Sequence, residues 1–377
     1  MSEPIIQGWC PGAHRPMMSG DGLVVRVRPR LARLTQAQIL GLCAAAVRFG
    51  NGTIDLTNRA NLQLRGVAQE AHAPLMQALS ALDLLDSDPG IEVKRNILVT
   101  PFYRAGDLTA RLTQALIDRL GDLPDLPAKF GYAIDTGPVR MLAGCSADIR
   151  LETGTAGDLI LRADGAETGR IVSEEAAIDG VIALAEWFAG NTSPQARRMA
   201  RVVQACDLPG HWSGAQPATR GDRPAPGLSP CGALVGAPFG QLPAQALAGL
   251  IQRSGASALR VTPWRLVLLE GADITPAPGF VTAPGDPALT THACPGAPFC
   301  PQTEVETREL ARQLAPRLNG TLHVSGCAKG CACIGPASIT LVGRDGRFDL
   351  VKQGGVGDEP AMCDLTPETL LRMTDLT

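Results

Sequence analysis

The chain has 377 residues, 45% hydrophobic and 4% aromatic, with a formal net charge of −3 at pH 7. A length of this order makes roughly two to three compact units, and the near-balanced charge excludes a global attraction to nucleic acid, so an anionic ligand has to be held by a local group of Arg and Lys. No apolar run approaches the ~20 residues of a membrane crossing, and Met1 to Gln7 lacks the basic start and apolar run of a signal peptide, which points to the reducing cytoplasm and to no membrane partner.

The first predicted element is a strand at 23–28 with Arg26 and Arg28 on one face. Residues 34–42 read as a short helix and 50–66 as a strand. On that strand Ile54, Leu56, Ala60, Leu62 and Leu64 fall on one side, and Asp55, Thr57, Arg59, Asn61, Gln63 and Arg65 on the other. The polar side is either a binding surface or an edge strand facing water. Residues 116–161 give a helix, a strand centred on Lys129, and a strand through Asp148-Ile149-Arg150-Leu151. The Gly- and Pro-rich stretch 207–230 reads as a boundary, and beyond it the same elements return. Residues 242–250 repeat the helix, which is about one turn shorter in this copy. Residues 255–271 align without a gap on 50–66, and 311–351 give a helix, a Cys-bearing turn and a strand through Ser338-Ile339-Thr340-Leu341. The chain therefore reads as a duplicated α+β module. The copies differ on the polar face: Arg59, Asn61 and Gln63 correspond to Trp264, Leu266 and Leu268. That asymmetry suits a large flat ligand held by polar groups on one side and an apolar ring on the other, with Trp264 as a core residue the alternative.

Four of the eleven cysteines form two pairs, Cys294-x5-Cys300 and Cys327-x3-Cys331. Four thiolates are what a four-iron four-sulfur cube requires, one per iron, and the Gly and Pro around them let backbone amides turn toward sulfur. Structural zinc, which prefers C-x2-C or C-x4-C knuckles, and disulfides are the competing readings. Cys333 is a further candidate ligand or a buried thiol. Cys10, Cys43, Cys145, Cys206, Cys231 and Cys363 lack metal-like spacing and read as small apolar residues. Asp55 and Asp148 are either acids of a site or solvated strand-end carboxylates, and no catalytic residue is assigned.

Several segments together resemble the sulfite and nitrite reductase superfamily, over most of the chain. Thr57-Asn58-Arg59-Ala60-Asn61-Leu62-Gln63-Leu64 is similar to its tetrapyrrole-binding strand and Val93-Lys94-Arg95-Asn96-Ile97-Leu98 to its Arg-Asn segment. Leu126-Pro127-Ala128-Lys129-Phe130 is similar to its Leu-Pro-x-Lys-Phe segment, and the two cysteine pairs to its cluster ligands. The resemblance implies an α+β fold with a duplicated repeat: two ferredoxin-like half-domains paired about a pseudo-twofold axis plus two α/β domains. The expected parts are 1–80 and 207–285 for the half-domains, and 81–206 and 286–377 for the α/β domains, the last carrying the cluster. It further implies a 4Fe-4S cluster on Cys294, Cys300, Cys327 and Cys331, and a tetrapyrrole site at Arg59, Asn61, Gln63, Arg95 and Lys129. Arg26 and Arg28 either join that site or form an exposed basic strand face. In siroheme-bearing members the last cysteine, here Cys331, also bridges to the siroheme iron.

Two features turn the resemblance toward the precorrin-3B synthase branch. The segment from Cys10-Pro11-Gly12-Ala13-His14-Arg15-Pro16 to Val27 is similar to that branch's N-terminal signature, and the reductases' Lys-Phe-Lys reads Lys129-Phe130-Gly131 here. Losing one cation weakens the hold on a small anion and leaves space for a larger ligand. The branch implies an O2-dependent monooxygenation of precorrin-3A at C20, with lactone formation by the ring A acetate, in aerobic cobalamin biosynthesis. Arg59, Arg95 and Lys129 would then pair with the acetates and propionates of the substrate. It also implies a mononuclear non-haem iron, for which His14 and His292 are candidate ligands against the alternative of structural histidines. Because no Gly-rich phosphate loop stands in strand–helix context, the expected electron source is NADH through a separate reductase, and the expected state is a monomer. Two further readings stay open: a siroheme-dependent sulfite or nitrite reductase, which Gly131 argues against, and a non-catalytic electron carrier, which the ring of cations argues against.

Overall fold

The computed structural model describes residues 11–373, so the expectations for Met1 to Gln7 and for Cys10 lie outside the described residues. The first repeat begins with β1 (Met17–Ser19) and β2 (Gly22–Val27), a hairpin turned at Gly20 and Asp21. β3 (Arg33–Thr35) leads into α1 (Gln36–Phe49), which starts at a capping box between Thr35 and Gln38. β4 (Thr53–Leu56) and β5 (Leu62–Val67) form a second hairpin, followed by α2 (His72–Ala81) and α3 (Pro89–Lys94). The larger part of the repeat holds β6 (Ile97–Val99), α4 (Leu108–Asp118), β7 (Tyr132–Asp135), β8 (Ile149–Thr153), β9 (Leu159–Ala163), β10 (Arg170–Ile171), α5 (Glu174–Asn191) and α6 (Met199–Ala205).

The connecting segment then runs back along this part through bridges at Gly169↔Ala215, Gly154↔Pro217 and Arg140↔Arg220, and the order recurs. β11 (Gly227–Ser229), β12 (Gly232–Gly236), β13 (Gln241–Pro243), α7 (Ala244–Ser254), β14 (Ala258–Val261) and β15 (Leu266–Glu270) match the first half-domain. α8 (Pro287–Thr290), β16 (Thr291–Ala293), α9 (Arg308–Leu314), β17 (Leu322–Ser325), β18 (Ala337–Arg344), β19 (Arg347–Gly354), β20 (Met362–Leu365) and α10 (Pro367–Arg372) complete the second repeat. α1 has 14 residues and α7 has 11, a difference of about one turn.

The sheets make the duplication explicit. The half-domain sheets run β1-β2-β5-β4-β13 and β11-β12-β15-β14-β3, so each contains one strand given by the other repeat. Leu242 of β13 sits opposite Ile54, and Leu34 of β3 opposite Leu259. All four side chains are fully buried, and α1 packs against α7 over the shared core. The other two sheets run β10-β9-β8-β7-β6 and β16-β17-β18-β19-β20, each with three parallel strands continued by antiparallel ones. No helix among the described residues is long and apolar enough to cross a membrane.

Three elements differ from the sequence reading. Residues 50–66 are a hairpin rather than one strand, because Ala60 takes a left-handed conformation (φ 52) and turns the chain between Thr57 and Asn61. Ile54 faces Leu64 and Leu56 faces Leu62, so the apolar alternation stays in phase across the turn. Leu34 and Leu242 stand in the exchanged strands before the helices rather than in them, since three residues at each site pair across the repeats first. Lys129 lies in the loop before β7, not in a strand.

Truncating a fully buried leucine costs about 2–5 kcal/mol. Leu242→Ala is therefore expected to lower the urea midpoint of both half-domains in one shared transition followed by circular dichroism; two separated transitions would contradict the shared core.

Candidate functional site

Cys294 directly follows β16, and Gly326 and Cys327 directly follow β17, so two parallel neighbours deliver one cysteine from each pair to the same sheet end. Gly326 N–H donates to Cys294 Sγ at 3.2 Å. The loop to Cys300 folds back at Gly296 (φ 69), where a Cβ would meet Thr307 Oγ1 at 2.6 Å, and the Cys300 N–H returns to Gly296 O at 2.8 Å. Gly330 (φ 61) turns the second loop just before Cys331. Both positions require glycine for the backbone conformation and, at Gly296, for space.

Burial pushes the Cys294 thiol up, opposed by the N–H groups of Gly326 and Gly296 and by the Thr307 hydroxyl. Burial also raises Cys331, whose ionisation is favoured by Lys329 and opposed by Cys294, Cys327 and Cys300, so all four sulfurs share one field. Deprotonating four mutually repelling thiols needs a polycation among them, and amide donors to sulfur are what cluster-ligating thiolates use. No three His, Cys, Asp or Glu side chains among the described residues converge closely enough for a single metal ion. Four cysteines with amide donors to sulfur are the donor chemistry of a four-iron cluster, which Cys294, Cys300, Cys327 and Cys331 would hold. The two candidate ligands for a mononuclear iron, His14 and His292, have separate backbone partners. His14 Nε2 lies 2.6 Å from Asp86 O, while His292 Nδ1 lies 3.3 Å from Ala332 O with its pKa lowered to about 4 by burial and by Arg265.

Beside the cysteines, a cleft of about 440 Å³ separates the repeats, with Cys294, Cys331 and His292 on one wall. Strands β2, β4 and β5 present Arg26, Asp55, Gln63 and Arg65, which the registers Arg26↔Gln63 and Asp55↔Gln63 set side by side. Opposite stand Pro263, Trp264 and Arg265 on the β14–β15 turn, with Arg223 and Arg308 beside them. Arg265 takes φ 60 where the first repeat has Ala60 at φ 52, so both copies turn on a non-glycine residue in the left-handed region, Arg265 lining the cleft and Ala60 buried in the core. Such backbone costs about 1–2 kcal/mol per residue and collects at functional sites.

The cleft is electropositive. Asp55 lies 3.7 Å from Arg65 and 3.3 Å from Arg308. Arg223 donates to Trp264 O at 2.7 Å, and Arg265 to Thr291 O at 2.6 Å and Leu289 O at 2.9 Å. Carbonyl partners fix these guanidiniums without cancelling their charge. Burial and the neighbouring Arg223 lower Arg265 to about 10, which still leaves it charged at neutral pH.

Of the five residues expected to bind a tetrapyrrole, Gln63 lines the cleft. Arg59 and Asn61 lie on the turn next to Thr57 and Asn58, which do. Arg95 is held elsewhere: it is buried against Asp86 at 2.6 Å and donates to Arg28 O at 2.6 Å, an ion pair the motif alone does not reveal. Lys129 is exposed, and Gly131 is buried with its N–H on Asp148 at 2.9 Å and its Cβ direction 2.9 Å from Asn96 O. The space left by the missing lysine is thus filled by the protein rather than added to the lining of the cleft. Arg26 and Arg28 are buried, not an exposed face: Arg26 enters the cleft and Arg28 pairs with Glu92 at 2.6 Å. Asp55 and Asp148 are likewise buried in ion pairs instead of solvated. The sequence reading missed Arg223, Arg265 and Arg308. Arg265 was traceable through the repeat, as the partner of Ala60.

Residues 15–82 match the nitrite/sulfite reductase ferredoxin-like half domain. Over 94% of its own length and 84% of the relative's, the chain is 31% identical to a precorrin-3B synthase from a Sinorhizobium species. It is 33% identical to the ferredoxin–nitrite reductase of Synechococcus elongatus over 34% of this chain and 27% of that one. The fold is similar to that of the NirA protein of Mycobacterium tuberculosis, with a TM-score of 0.63 over 92% of this chain and 78% of that chain at 19% identity.

Cys327→Ser and Cys331→Ser are each expected to lose the broad cluster absorbance near the visible edge together with iron and acid-labile sulfide. Retention of full sulfide in both variants would remove these residues from the ligand set.

Proposed function

Because the chain belongs to the precorrin-3B synthase family within the sulfite and nitrite reductase superfamily, we propose that it converts precorrin-3A to precorrin-3B. The reaction is an O2-dependent monooxygenation: one oxygen atom enters the meso carbon C20, and the ring A acetate closes a lactone at C1, in aerobic cobalamin biosynthesis. The observation that carries this reading is an arginine-lined cleft between the repeats with two of the four cysteines in its wall. Asp55 is the one carboxylate among the cleft's arginines, and a macrocycle bearing acetates and propionates supplies the others.

The residues divide the work of holding it. Arg223 and Arg265, already fixed by carbonyl oxygens, take peripheral carboxylates with little reorganisation. Trp264 offers an apolar ring edge on one side, while Gln63 and the turn bearing Arg59 and Asn61 offer polar groups on the other. A reduced precorrin is electron-rich and reacts readily with oxygen, so the task of the chain is to present one meso carbon and shield the rest. When bound on Cys294, Cys300, Cys327 and Cys331, a 4Fe-4S cluster supplies electrons singly, delivered from NADH through a separate reductase.

Incubation with precorrin-3A under 18O2 and an electron donor is expected to give a product heavier by one 18O atom, with the macrocycle retained in a one-to-one complex beforehand. In Arg59→Ala and Arg265→Gln the cluster absorbance should persist while affinity falls roughly tenfold or more, since a charge-assisted hydrogen bond contributes about 1.5–3 kcal/mol. A product without label, or reduction of sulfite at comparable rates with a bound siroheme, would overturn the assignment.

A further inference from the structure

The carbonyl oxygen of Phe299 belongs to the peptide that carries the N–H of Cys300, and it accepts three hydrogen bonds from the first repeat. Ser19 Oγ donates at 2.8 Å, Arg65 Nη2 at 3.1 Å and Gly20 N–H at 3.3 Å. The approach leaves no room for a side chain at residue 20, where a Cβ would lie 2.6 Å from Pro298 O. Arg65 is the member of this clamp that also lines the cleft. Its side chain is 9% exposed, and Nη2 further reaches Ser19 Oγ at 3.0 Å and Asp21 Oδ1 at 3.2 Å, while Nη1 faces Asp55 at 3.7 Å. A second, small cavity of about 70 Å³, lined in part by Arg65, Arg308 and Phe299, lies next to the cleft beyond these two arginines. One guanidinium therefore touches both the ligand cleft and the peptide of a cluster-ligand residue.

We propose that Arg65 is a positioning residue that couples occupation of the cleft to the cluster: it grips the Phe299–Cys300 peptide, and a ligand carboxylate arriving at Arg65 lowers the cluster's reduction potential. The inference rests on the reading of Cys300 as a cluster ligand and of the cleft as a polycarboxylate site. A cation beside a cluster stabilises its reduced form, and hydrogen bonds around the ligands tune it further. In the empty protein Asp21 and Asp55 offset Arg65 and Arg308, and the positive field that holds the added electron is that of Arg223 and Arg265, whose partners are carbonyl oxygens. A ligand carboxylate neutralises that field and competes for the N–H groups now on Phe299 O. The reduced cluster then becomes the stronger donor only when the cleft is filled, so the electron is kept from oxygen until a substrate is in place to receive one oxygen atom while the other is reduced to water.

The test is a redox titration of the cluster, read by electron paramagnetic resonance in the full-length, cluster-loaded protein, with and without uroporphyrin III as an octacarboxylate probe. In the wild type the probe is expected to make reduction about tenfold harder, a fall of about 59 mV for one electron. Arg65→Gln should start from a lower potential and respond less to the probe, and Arg65→Lys should recover the starting value. Asp21→Asn, outside the lining of the cleft, should shift the free potential the other way, upward, and serves if Arg65→Gln does not retain its cluster. Unchanged free potentials in Arg65→Gln and Asp21→Asn, or an equal probe-induced fall in wild type and Arg65→Gln, would overturn the proposal. A probe that fails to bind the wild type contradicts the reading of the cleft instead, and the free potentials of the variants then decide the hold of Arg65 on the loop by themselves.

Discussion

Two three-residue strands cross between the repeats, β3 into the second half-domain sheet and β13 into the first, and the position of every functional group follows from that exchange. The pairing buries Leu34 and Leu242 in one core, packs α1 on α7, and brings the turns of both hairpins, at Thr57 and Asn58 and at Pro263 to Arg265, to one cleft. Neither half-domain can bury its core face alone, because each lacks the strand that the other provides. The cleft is the space this arrangement leaves between the turns, and it stays open because its walls carry guanidinium groups that resist dehydration and repel one another.

Duplication supplies symmetry, and divergence supplies chemistry. At equivalent places stand Arg59 and Trp264 on the two turns and Gln63 and Leu268 in the strands after them: one copy has a polar face and the other an apolar one. The larger domains diverge in the same sense. The turn after β7 closes on a buried network in which Asp135 accepts from the Leu142 N–H at 2.6 Å, whereas the turn after β17 carries Cys327 and Cys331. One repeat thus contributes the clamp around Arg65 and the other the thiolates, so neither half carries the site without its partner.

Much of this was legible in the sequence, and the reasons differ by feature. The cysteine pairs were visible because their spacing is local, and Gly296 and Gly330 are the residues that such tight loops demand. The duplication was visible because apolar periodicity survives divergence. The cation ring was legible only in part: Arg65 stood on the polar face of its segment, but Arg223, Arg265 and Arg308 come from separate segments that only the fold brings beside it. Arg95 misled for the converse reason: Asp86, nine residues upstream, neutralises it in the core, and nothing in the Arg-Asn motif announces that partner. The turn at Ala60 was hidden because a left-handed alanine carries none of the glycine signal that normally marks one.

The central claim is that the tetrapyrrole meets this cleft as substrate beside a cluster held by four cysteines. Its most direct test is the absorption spectrum of protein purified without oxygen from cells able to make siroheme, followed by acid–acetone extraction and assay of iron and sulfide. The account predicts cluster iron and sulfide without stoichiometric siroheme in the extract. A full equivalent of extracted siroheme would contradict it, and would make the macrocycle a resident cofactor.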